Sequence, residues 1–185
     1  LKMVAAPLGH AVAACATRSD PERAQAFAEL HNIPKAHGSY EALTADPTVD
    51  IVYVASLHPD HRRHCELALR AGKHVLVEKP LTKTIQDGED LCRIAREKKV
   101  ALQVGHVERF NPAWQAVRDR LVDPKFIEAR RFSGYSFRST DIGVVLDVMI
   151  HDLDLLRSIA PAEVIEVQAL GVSIFGHHED AAQVR

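Results

Sequence analysis

Five groups of side chains have the residue types and spacing that chemistry requires. Lys79 stands in Val77-Glu78-Lys79-Pro80-Leu81, directly after an apolar run. A lysine at the carboxyl end of a parallel strand sits where open α/β sheets bind ligands. Its ammonium can hydrogen-bond a hydroxyl and stabilise alkoxide character as hydride leaves. A surface lysine that caps a loop is the plainer alternative, and it stays open. Asp147 and His151 are four residues apart, so on a helix they share a face about one turn apart. Imidazole suits general-base work near neutral pH. A carboxylate on the same face could orient it or bind a neighbouring hydroxyl. A helix-terminal aspartate beside a half-buried histidine bonded to backbone is the other reading.

The third group lies around Ser56-Leu57-His58-Pro59, with His61, His64 and Cys65 following. Histidines three apart at a helix start could present two metal ligands together. There is no CxxC or HExxH pattern to support an ion, so no metal is expected. Near the start, Arg18 and Ser19 precede Asp20-Pro21. In NAD-preferring dinucleotide folds an acidic residue ends the second strand and grips the ribose 2′-hydroxyl. A guanidinium at that place welcomes a 2′-phosphate instead, with Thr17 and Ser19 as possible hydroxyl donors. On a dinucleotide-binding fold this pattern would favour NADP over NAD; Arg18 as a solvated turn residue is the plainer alternative. Arg109 suits a substrate diphosphate or carboxylate; a salt bridge to Glu108 or to a carboxylate of the other domain is the alternative.

These groups must be held by alternating elements. Residues 11–17, 50–56, 73–77 and 100–104 read as buried strands. Asp20 with Pro21 opens a helix to Leu30. Residues 59–70 form another, stopped by Gly72. Thr84 caps a helix to about Lys98, and Asn111-Pro112 opens one that ends near Leu121. This rhythm implies βαβ units and a parallel sheet. Past Asp123-Pro124 the pattern changes: residues 125–132 and 164–174 alternate as in a sheet with one wet face, around a helical stretch at 143–159. The expected domains are residues 1–120 and 121–185.

Composition narrows the classes. The chain has 185 residues, 46% of them hydrophobic and 26% charged, which excludes a disordered tail or a disulfide miniprotein. A net charge of -2 gives no electrostatic footprint for nucleic acid or an anionic membrane. No apolar run approaches the ~20 residues of a membrane span. Cys15, Cys65 and Cys92 read as reduced thiols of a cytoplasmic protein.

Three motifs stand in order: Val77 to Leu81, Gly105-His106-Val107-Glu108-Arg109-Phe110-Asn111-Pro112, and Asp147 to Leu155. Together they resemble the Gfo/Idh/MocA family of nicotinamide-dependent sugar and polyol dehydrogenases. They are most like its branch acting on nucleotide-linked amino sugars, the UDP-N-acetylglucosamine 3-dehydrogenases. The resemblance implies a Rossmann domain followed by an α/β domain with an open, mostly antiparallel sheet. It implies that His151 takes the hydroxyl proton, that Lys79 assists and that Asp147 positions the substrate. Lys79, Arg109, Asp147 and His151 would touch substrate. Arg18, Ser19, Ser56, Leu57, His58, Pro59, His61, Glu78 and Lys79 would line the cofactor. It also implies a homo-oligomer assembled through the second sheet.

Residues 33–40 suggest a dihydrodiol dehydrogenase as an alternative. A non-catalytic sensor on the same fold is a further one, against which Lys79, Asp147 and His151 argue. None of the nine glycines falls in a G-x-G pair. Roughly 20–30 residues of a first strand–turn–helix are therefore expected to be missing from this chain, along with part of the second sheet. Poor dinucleotide binding by the chain alone follows from that expectation.

Overall fold

The computed structural model describes residues 9–17, 20–134, 141–160 and 162–185. Two compact units divide the chain, Leu1–Val104 and Gly105–Arg185. The expected boundary lay at 120/121, whereas residues 105–120 group here with the second unit.

The first unit runs β1 (Ala14–Ala16), α1 (Pro21–Leu30), β2 (Lys35–His37), α2 (Tyr40–Ala45), β3 (Ile51–Val54), α3 (His61–Arg70), β4 (His74–Val77), α4 (Ile85–Lys98) and β5 (Leu102–Val104). A single 3-10 turn, His58–Asp60, leads into α3. β1 and β2 pair in parallel. β3, β4 and β5 form a parallel sheet in that order, with Val54 opposite Val77 and Val77 opposite Val104. Each crossover within this sheet carries a helix, the βαβ arrangement that parallel strands need.

Local chemistry sets the helix starts. The Asp20 carboxylate accepts from the Arg23 N–H at 2.9 Å, and Pro21 takes the first helical position. The Thr84 hydroxyl accepts from the Asp87 N–H at 3.2 Å. Such caps satisfy N–H groups that have no partner inside the helix. Gly72, at φ +76 beyond the end of α3, adopts the left-handed backbone that glycine tolerates. Buried positions on α3 are His61, His64, Cys65, Ala68 and Leu69, a helical stripe. Cys65, Ala68 and Leu69 meet Leu91, Ile94 and Ala95 of α4 and Val54, Val75 and Val77 of the sheet. Burying a side chain such as Leu69 or Leu91 contributes about 1.5–3 kcal/mol. Outside the core, Arg62 of α3 reaches the Asp87 carboxylate of α4 at 2.9 Å.

The second unit begins with a 3-10 turn, Val107–Phe110. α5 (Pro112–Val117) follows, capped by the Asn111 side chain. A π-helical turn, Val145–Met149, leads into α6 (Ile150–Ile159), and β6 (Ala169–Val172) pairs antiparallel with β7 (Ala181–Val184). The loop before β7 lies close on the start of the helical stretch: Val144 N–H donates to Glu179 O at 2.7 Å, and a Cβ at Gly143 would strike the Glu179 carboxylate.

Two expected strands differ. Residues 125–132 carry no strand, and the strand expected over 164–174 shortens to Ala169–Val172. Alternation permits a strand, but ladder bonds come from a neighbour: among the described residues no strand pairs with 125–132, and β7 pairs with only part of 164–174. Among the described residues no helix is long and apolar enough to cross a membrane.

Candidate functional site

In the first unit the candidate residues leave the carboxyl ends of neighbouring strands. Pairing of Val54 with Val77 brings the segments that start at Ala55 and Glu78 out of the sheet side by side. The Glu78 N–H donates to Val54 O at 2.9 Å and carries the pairing one step past β4. The Tyr53 hydroxyl donates a short hydrogen bond to the Glu78 carboxylate. Burial, and then that carboxylate, push the Tyr53 hydroxyl up to about 12. Glu78 is thereby oriented by the adjacent strand, and half-buried Lys79 follows it. The Lys79–Pro80 bond is cis.

Ser56 begins the neighbouring loop. Its hydroxyl lies 2.8 Å from His64 Nδ1. Leu57 is 75% exposed, an apolar side chain left open at the carboxyl edge of the sheet. Pro59 is exposed and His58 half-buried, with the His58 ring edge-on to His61 at 5.8 Å. His61 is buried, its ring nitrogens 2.8 Å from Pro80 O and 3.0 Å from Ser56 O. His64 stacks on Tyr40 at 4.3 Å. Its imidazole is held below the ordinary histidine value chiefly by burial; Arg63 and His61 add to this, against Asp60 and Glu41. Arg18 and Ser19 lie outside the described residues, while the Thr17 hydroxyl donates to Asp20 O at 2.8 Å.

The second unit holds the other candidates. Asp147 sits in the π-helical turn, its N–H donating to Gly143 O at 3.0 Å. His151 follows as the second residue of α6. Single π turns are frequent at functional sites because they re-aim side chains within a helix. Arg109 gives Nε and Nη2 to the two oxygens of Asp154, at 2.7 and 2.6 Å. The Asp154 side chain is only 9% exposed, and His106 Nε2 lies 3.9 Å from its Oδ1. Burial works to raise the Asp154 carboxyl, but the Arg109 hydrogen bonds, with His106 and His151 nearby, hold it below the usual range. Arg131 makes a second fork, to Asp152. The 107–110 turn is thus tied to the helix that bears His151.

From the sequence, Asp154, one turn beyond His151, reads as a side chain facing solvent or a salt bridge rather than as part of the site; the structure gives it the salt bridge, to Arg109. Among the described residues no cluster of three or more His, Cys, Asp or Glu side chains could hold a metal ion.

A parallel sheet whose candidate loops leave its carboxyl edge, with a further unit bearing an Asp-x-x-x-His helix, belongs to a nucleotide-dependent class of enzyme fold. The sequence profile of the oxidoreductase family with an NAD-binding Rossmann fold matches residues 2–106. The chain belongs to this family, Gfo/Idh/MocA.

It is 37% identical over 149 residues to UDP-N-acetylglucosamine 3-dehydrogenase of Acidithiobacillus ferrooxidans, covering 80% of this chain and 47% of that one. A crystal structure of that dehydrogenase superposes with a TM-score of 0.84 at 35% identity, over 93% of this chain and 56% of that one. Trans-1,2-dihydrobenzene-1,2-diol dehydrogenase of Xenopus laevis is 43% identical over 125 residues, 65% of this chain and 38% of that one. The chain thus spans about half or less of the length of these curated relatives.

Proposed function

We propose that the whole protein is a dehydrogenase that moves hydride between a secondary hydroxyl of a sugar or nucleotide sugar and a nicotinamide. The observation that carries this reading is the place of Lys79: it follows β4 at the carboxyl edge of a parallel sheet, beside the Ser56-Leu57 loop. Similarity to a nucleotide-sugar dehydrogenase supports the substrate class.

Residues of this chain fit the nicotinamide end of such a cofactor. Exposed Leu57 offers an apolar face to a flat ring, and Lys79 and Glu78 stand on the adjoining loop. A glycine turn for the pyrophosphate is not among this chain's residues, since none of its glycines forms a G-x-G pair. When bound, the nicotinamide supplies hydride acceptance and donation at its C4.

The side chains manage the proton and the orientation. His151 takes the hydroxyl proton, and the Lys79 ammonium assists by hydrogen-bonding and offsetting developing negative charge. Asp147 binds a neighbouring hydroxyl. With Nε and Nη2 committed to Asp154, any contact of Arg109 with substrate falls to Nη1. Arg18 is the residue we assign to a 2′-phosphate, so NADP is the preferred dinucleotide, with Ser19 beside it. The protein assembles through apolar surface of its second unit. Free Cys15, Cys65 and Cys92 fit a reducing, cytoplasmic setting.

Substituting Lys79→Met tests the reading. Turnover of UDP-N-acetylglucosamine should fall by about 10²–10⁴-fold. Fluorescence titration should still give NADPH affinity within about twofold of the parent, and tighter than NADH. Unchanged turnover removes Lys79 from the chemistry; a preference for NADH refutes the role of Arg18. A dihydrodiol would be the better substrate if the 43%-identical relatives are the truer guide.

A further inference from the structure

The Lys79 loop lies between two regular elements, and nothing in a sheet ladder holds it. Glu78 is the last residue bonded to β3, and Thr84 is the cap of α4. A catalytic ammonium must be placed to a fraction of an ångström, so some side chain has to fix the backbone between them. His61 does so. It is the first residue of α3 and 2% exposed. Its Nδ1 lies 2.8 Å from the carbonyl of Pro80, the residue after Lys79. Its Nε2 lies 3.0 Å from the carbonyl of Ser56, at the head of the neighbouring loop. Both carbonyls only accept, so hydrogen-bonding them together takes an N–H on each ring nitrogen, the doubly protonated ring; with a single N–H the ring donates to one and packs against the other. His64, three residues on, meets the Ser56 hydroxyl at 2.8 Å. The start of α3 thus grips the Ser56 loop at two points and reaches across to the Lys79 loop at a third.

We propose that His61 is a positioning residue: by bridging the carbonyls of Pro80 and Ser56, it holds the loop that presents Lys79 against the loop after β3. Its role is to set the place of Lys79, not to line the cofactor. This rests on the catalytic reading of Lys79 for its consequence in turnover, but not for the bridge itself.

Two variants of the whole protein test it. In His61→Asn the amide is too short to reach both carbonyls. In His61→Gln the longer amide carries two N–H donors and can span them. Hydrogen–deuterium exchange should speed up in His61→Asn over residues 55–58 and 77–83. Exchange over residues 91–95, in the core of α4, should stay as in the parent. His61→Gln should restore slow exchange in both loops. In kinetics, His61→Asn should lower kcat on the order of 10²-fold with KM and NADPH affinity little changed, and His61→Gln should recover most of it.

Unchanged exchange over 77–83 in His61→Asn would overturn the bridge. So would exchange that rises equally everywhere, the mark of a general loss of stability. A selective rise in exchange with kcat intact would overturn the positioning role. NADPH affinity weakened equally in both variants would mean that His61 contacts the dinucleotide. If the parent protein turns over no sugar nucleotide, the dehydrogenase reading fails, and the exchange data still decide the bridge.

Discussion

Histidines crowd the start of α3, and their surroundings give them different work. His61 faces backbone carbonyls, whereas His64 is packed between the Tyr40 ring and the Ser56 hydroxyl. Burial lowers the His64 value, so the folded protein binds fewer protons there than the unfolded chain does. The window runs from the ordinary histidine value, ~6.5, down to the lowered folded one. Within it, stability rises with pH and is lost as pH falls. Thermal melts should therefore show a lower Tm in mildly acidic buffer than at neutral pH. His64→Gln, which retains a partner for Ser56, should flatten that slope. Identical slopes in parent and variant would assign the acid sensitivity to other groups. The Arg109–Asp154 fork is a second lesson at this scale: a guanidinium whose type suggests an anionic ligand is largely spent on a buried carboxylate of its own unit.

At the scale of elements, α4 shows how burial and local chemistry divide the work. Its start is written in Thr84 and Asp87, but its anchorage is Leu91, Ile94 and Ala95 against α3 and the sheet. Leu91 is fully buried, while Ile85 in the first turn of the same helix is 83% exposed. Leu91→Ala should cost about 2–5 kcal/mol in urea unfolding. Ile85→Ala should change stability by no more than ~0.5 kcal/mol. Equal effects would mean that helix propensity, not the core, holds α4. The π turn ahead of α6 belongs to this scale too. It keeps Asp147 and His151 about a turn apart while shifting how each is aimed.

At the scale of the whole molecule, the second unit leaves much apolar surface uncovered. Ile165, Phe132, Phe126, Phe175, Val164 and Val167 are all exposed. Large uncovered apolar surfaces mark interaction sites. This is the surface through which assembly with further copies of the protein is proposed. Light scattering should return a mass that is a multiple of the single chain, and Ile165→Asp should shift it towards the monomer. A monomeric parent would withdraw the assignment.

Much of the framework could be read from the residues because its causes are local. Asp20, Thr84 and Asn111 cap helices through partners two or three residues away, and Gly72 ends α3 by its own backbone freedom. The parallel strands beside Lys79 were legible as short, continuous apolar runs rich in β-branched residues, although Ile51 and Tyr53 of β3 are left exposed. What escaped the sequence depends on partners distant along the chain. Residues 125–132 alternate as a strand does, yet among the described residues no neighbour makes them one, while β7 exists because β6 pairs with it. Arg109 meets Asp154 45 residues on, and His61 meets Pro80 19 residues on. Residue type can nominate a base, a cation or a carboxylate; whether that group is offered to a ligand or consumed by the protein is settled only when the folded backbone brings its partner within hydrogen-bonding distance.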